Sequence, residues 1–123
     1  MRVLIADDQR SVGTTLAALV SHCDAEVVEV VGSGLEAIHA YAKHKPDVVL
    51  MDYWMPKLNG ATACRNILAK DPDARVILVS GLSGPNEVAD SGAAAMLPKP
   101  IALGRLAEVL HAVAKPSARF ALH

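Results

Sequence analysis

Five side chains pose the chemical question. Asp7 and Asp8 stand side by side, Asp52 closes an apolar run, Ser80 closes another, and Lys99 precedes Pro100. Each residue type is common alone, so what matters is whether the fold brings them together. Two carboxylates about 4 Å apart repel by about 4 kcal/mol at an effective dielectric of about 20. Three of them in one place call for a cation, and ligation by oxygen alone suits Mg²⁺. A carboxylate is also a nucleophile toward phosphorus, giving an aspartyl phosphate. The metal and Lys99 would neutralise charge on the transferring oxygens, and the Ser80 hydroxyl would donate a hydrogen bond to one of them.

The elements that must position these residues are legible as alternating patterns. Val3–Ala6, Val27–Val31, Val48–Met51 and Val76–Val79 are short apolar runs, and Ala95–Leu97 is a shorter fifth. Runs apolar on both faces suit parallel strands covered on each side. Between them lie helical periods: Val12, Leu16, Leu19, Val20 and Cys23; Leu35, Ile38 and Ala42; Ala63, Ile67 and Leu68 after Asn59-Gly60. Leu103, Leu106, Val109, Leu110 and Val113 form the cleanest stripe, stopped by Pro116, while Gly84–Ser91 is a weak helix. The order is β-α repeated five times, which predicts an α/β fold with a parallel sheet and right-handed crossovers. Ligands bind such sheets outside the carboxyl ends of the strands. Asp7 and Asp8, Asp52, Ser80 and Lys99 fall at four of those ends, so they are expected to meet on one edge.

The chain of 123 residues suits one domain, with 52% hydrophobic and 20% charged residues. A net charge of −1 weighs against direct contact with nucleic acid or an anionic membrane. Cys23 and Cys64 match no disulfide framework and read as reduced thiols. The N-terminus has no signal-peptide pattern and no stretch could span a bilayer, so the expected location is cytoplasmic. His22, His39, His44, His111 and His123 share no metal-ligand spacing and read as surface or helix residues. Gly13, with Thr14 and Thr15, makes the first helix locally poor, and a solvated, frayed turn is the simple account.

The combination of Asp7-Asp8, "MDYWMPKLNG" around Asp52, "VSG" at Ser80 and "LPKP" at Lys99 resembles the receiver domains of two-component response regulators. The resemblance runs from Arg2 to about Ala114. It implies a flavodoxin-like (βα)5 domain over residues 1–115, strand order 2-1-3-4-5 with helices on both faces, and a tail or linker start over 116–123. It implies that Asp52 accepts a phosphoryl group from a sensor histidine kinase or phosphotransfer protein. Asp8, Asp52 and the Trp54 carbonyl would hold Mg²⁺, with Asp7 acting through water. Ser80 would be the switch hydroxyl, Lys99 the phosphate-binding cation, and the Lys99–Pro100 bond cis. Such a protein is a signalling phosphoacceptor, catalysing only its own phosphorylation and dephosphorylation.

Three positions depart from the family pattern. Met96 stands where an aromatic residue usually swings inward, Ala95 where glycine is frequent, and Pro98 removes an N–H from strand five, which is tolerable at a sheet edge. Met96 is either plain packing or a substitute switch element. A rival reading is a Mg²⁺-dependent phosphatase with Asp52 as nucleophile. Such enzymes place a second acid two residues on, where this chain has Trp54. A degenerate receiver that works without phosphorylation is the other rival, against which every chemical residue is intact. The output is open. Some stretches resemble regulators that continue into a helix-turn-helix DNA-binding domain, others stand-alone chemotaxis-type receivers acting on a separate target. The family also forms homodimers through helix four, strand five and helix five.

Overall fold

A computed structural model of the chain describes residues 1–81 and 90–114. Among them are β1 (Arg2–Ala6), α1 (Arg10–Ser21), β2 (Glu26–Val31), α2 (Gly34–His44), β3 (Val48–Asp52), α3 (Gly60–Lys70), β4 (Val76–Ser80), β5 (Ala95–Pro98) and α4 (Leu103–Ala114). The strands form one parallel sheet, as their apolar runs predict, in the order β2-β1-β3-β4-β5 that the family resemblance implies. The weak helix expected over Gly84–Ser91 lies outside the described residues except for Asp90 and Ser91, and so does the tail over 115–123. The helix numbered α4 here is therefore the fifth of the expected set.

Side-chain alternation along the strands explains the layering. Val3 and Ile5 of β1 point to one face with Val48, Leu50, Ile77, Val79 and Leu97, and there meet Leu16 and Val20 of α1 and Leu106 and Leu110 of α4. Leu4 and Ala6 point to the other face with Val49, Met51 and Leu78, under Ala37, Ala40 and Tyr41 of α2 and Ala63, Cys64 and Ile67 of α3. Every residue of β3 and β4 is buried, which is why those runs show no polar alternation. Pro98 sits in the edge strand opposite Ser80, where its missing N–H interrupts no interior ladder. No helix among the described residues is long and apolar enough to cross a membrane.

Two local expectations are corrected. Of the α2 face read from Leu35, Ile38 and Ala42, only Ile38 packs against the core, while Leu35 and Ala42 face solvent. Leu35 is 58% exposed, and Gly34, Ala37, Ala40 and Tyr41 face inward. The small residues let α2 lie close to the sheet and the β3–α3 loop, and this turns the larger Leu35 outward. Gly13 is not in a solvated, frayed turn either. It is buried in α1, and a Cβ there would lie 2.9 Å from Val30 Cγ1, so the glycine leaves room for a close helix-strand contact. Thr14 and Thr15 donate to the carbonyls of Arg10 and Ser11 four residues back, at 3.0 and 2.9 Å, and so remain helical.

Candidate functional site

The carboxyl edge of the sheet gathers all five residues singled out above. β1 runs out of pairing at Ala6, and the next two residues start the turn into α1. The Asp7 N–H bonds the Val31 carbonyl at 3.0 Å, and the Asp7 Oδ1 accepts the Gln9 N–H at 2.9 Å. These two bonds orient Asp7 inward, where it is 2% exposed, while Asp8 faces solvent. Asp52 is the last residue of β3 and is buried, and Ser80 is the last of β4 and also buried. Lys99 follows β5, its N–H bonded to the Ser80 carbonyl at 3.2 Å, and the Lys99–Pro100 peptide bond is cis.

The geometry is that of a cation site with a counter-charge beside it. Asp7, Asp8 and Asp52 each offer one carboxylate oxygen, and these lie within 4.8 Å of one another. Lys99 Nζ reaches into the cluster, 3.2 Å from Asp7 Oδ2 and 3.4 Å from Asp52 Oδ1. Burial and the neighbouring Asp7 charge push the Asp52 carboxyl above its ordinary value, while Lys99 and the Trp54 N–H pull it down. One ammonium thus faces three acids and offsets only part of their repulsion. The donor set is all oxygen, clustered and partly open at Asp8, which fits a hard divalent ion of the Mg²⁺ class.

The loop between β3 and α3 contributes backbone groups. Trp54 N–H donates to Asp52 Oδ1 at 3.3 Å; the residue is 54% exposed, and its ring packs edge-on against Tyr53 with centroids 4.7 Å apart. Gly60 N–H closes the loop onto the Tyr53 carbonyl at 2.7 Å. A Cβ at Gly60 would run into the Asp52 carbonyl and the Tyr53 backbone, so only glycine lets α3 start this close to the acid. Sequence reasoning took Asn59-Gly60 as a helix start alone. It missed that this glycine abuts Asp52, although the pairing of the two residues in one motif was the available signal. Met96 lies on β5 opposite Leu78 and is 36% exposed. Beside the site, Ser11, Val12, Thr15, Leu16 and Leu19 of α1 and the segment Lys99–Ile101 line a largely apolar groove of about 470 Å³.

Comparison with known proteins gives one consistent answer. Residues 3–111 match the family described as the response regulator receiver domain. The chain is 37% identical to the chemotaxis protein CheY of Listeria monocytogenes over 94% of its own length and 99% of that protein. It is 35% identical to the response regulator MprA of Mycobacterium leprae over 86% of its length, which is 47% of the larger protein. Among solved structures, the CheX–CheY complex of Borrelia burgdorferi, determined with BeF3 and Mg²⁺, superposes with a TM-score of 0.86. The sequences are 28% identical there, over 92% of this chain and 88% of that one.

Proposed function

The chain belongs to the response regulator receiver family, and from that premise we propose that Asp52 is its phosphoryl acceptor, served by Mg²⁺, Ser80 and Lys99. The function is that of a signalling phosphoacceptor. The observation that supports the residue assignment is the meeting of three carboxylates and one ammonium at the carboxyl edge of the sheet. Asp8, Asp52 and the Trp54 carbonyl would hold Mg²⁺, and Asp7 would act through water. Bound there, the ion supplies charge neutralisation to the acid cluster and to the phosphoryl oxygens.

The chain's own residues do the rest. In transfer from a phosphohistidine, the N–P bond breaks with its electron pair left on the imidazole, and an Asp52 carboxylate oxygen forms the new P–O bond. Lys99, already within reach of Asp52, pairs with the phosphoryl oxygens, and Ser80 donates a hydrogen bond to one of them. The donor would be a histidine kinase or phosphotransfer protein in the cytoplasm. The apolar groove along α1, which ends at Lys99, is where the donor would dock. Residues 1–115 make up the receiver and 116–123 its tail or the start of a linker. The output would be a DNA-binding domain or a separate target, reached through the β5 face that carries Met96.

Incubation with a small phosphodonor and Mg²⁺ should add one phosphoryl group, mapped to Asp52 by mass spectrometry, and Asp52→Asn should not accept it. Uptake at another residue, or uptake that persists in excess chelator, would count against the assignment.

A further inference from the structure

We propose that Gly34, the first residue of α2, is a positioning residue for the acid site. It acts through Leu58 on the loop that carries Trp54, and the proposal rests on the metal reading above. The loop from Tyr53 to Asn59 is tied at both ends. Tyr53 N–H bonds the Val79 carbonyl at 2.9 Å, and Gly60 N–H bonds the Tyr53 carbonyl at 2.7 Å. Between these anchors Leu58 N–H bonds the Pro56 carbonyl at 2.7 Å, with Lys57 at φ 70° between them. This is a γ-turn of the rare kind, and such backbone persists only where its surroundings over-determine it.

The surroundings are α2. A Cβ at Gly34 would lie 2.8 Å from the Leu58 carbonyl oxygen, 3.2 Å from its Cβ and 3.1 Å from Cδ2. Two of those three atoms belong to the backbone or the root of the side chain, so they cannot swing aside. α2 cannot retreat either. Ala37, Ala40 and Tyr41 are buried against the sheet and α3, and the Tyr41 hydroxyl donates to Asp71 Oδ2 at 2.7 Å. An added methyl group must therefore be taken up by the loop, whose other end is fixed where Gly60 abuts Asp52. Strain at Leu58 is then passed along the short loop toward Trp54, whose N–H donates to Asp52 Oδ1 at 3.3 Å. Gly34 has no positive φ, so space and not backbone conformation is what demands glycine.

The test is a Mg²⁺ titration of the whole chain, followed by Trp54 emission and by calorimetry, beside thermal melts in chelator. Helix propensity alone favours alanine over glycine. The proposal instead expects Gly34→Ala to bind Mg²⁺ about tenfold more weakly, the effect typical of residues that hold metal ligands in place. A variant that binds Mg²⁺ as the parent does overturns the role of Gly34, whatever its melting temperature. A parent that binds no Mg²⁺ overturns the metal reading and this proposal with it. Should Gly34→Ala not fold, Leu58→Ala loosens the same contact from the other side. It should also weaken Mg²⁺ binding, and parent-like affinity there overturns the proposal.

Discussion

Asp52 works against the stability of its own domain. Burial and the Asp7 charge raise its carboxyl above the ordinary carboxylate value. A carboxyl raised by folding favours the folded state below its unfolded pKa, and that advantage is lost as pH rises through the folded value. In the absence of metal the cost therefore grows as pH rises through the folded value. Asp52→Asn removes it, so melts in chelator should show the variant more stable near neutrality, by roughly 4 °C for each 1 kcal/mol relieved. The gap should close on acidification, and a variant less stable than the parent at neutral pH would contradict the account. At this scale the acids, Ser80 and Lys99 were legible because a charged or hydroxyl residue directly after a buried apolar run falls at the sheet edge, where ligands bind. Gly34 and Gly60 were not legible as parts of the site. What they provide is room for a neighbour, and the neighbour is known only after folding.

Among the elements, the strands are plain from composition, because β3 and β4 are buried on both faces and can hardly be anything else. Helix faces are harder. In α2 the buried stripe is made of Gly34, Ala37, Ala40 and Tyr41, and a reading led by the larger Leu35 rotates the helix by one position. α1 teaches the same lesson through Gly13. The added methyl in Gly13→Ala meets Val30 Cγ1 at 2.9 Å, so either that side chain or the helix must shift. The substitution should destabilise by about 1–3 kcal/mol by overpacking, despite alanine's better propensity. Val30→Ala in the same chain should recover much of the loss. Urea unfolding of the two variants measures both, and a stabilised Gly13→Ala would refute the overpacking.

For the molecule as a whole, ligand binding and stability are linked. An ion that binds only the folded state stabilises by about 2.7 kcal/mol at about a hundredfold excess over Kd, so Mg²⁺ should raise the melting temperature of the parent. Asp8→Asn should lose most of that increase in a melt at matched Mg²⁺. The output is expected to be soft. Met96 is flexible and fills space through several rotamers, so its packing differs little between states, and a small difference shifts a population little. Amide exchange with and without a phosphate mimic should show a modest change across β5 and α4, enlarged in Met96→Tyr; equal changes in both would make methionine a sufficient switch. Finally, the layer under α2 and α3 carries a built-in chemical clock. Cys64 there has no exposed surface, and burial pushes its thiol up to about 11, whereas Cys23 on the opposite side of the sheet, though also raised by burial and by Asp24, is partly open. A thiol reagent should modify Cys23 promptly and Cys64 only when α3 lifts. The slow phase would then time the opening of the layer that holds Gly60 against Asp52, and phosphorylation or Mg²⁺ should lengthen it.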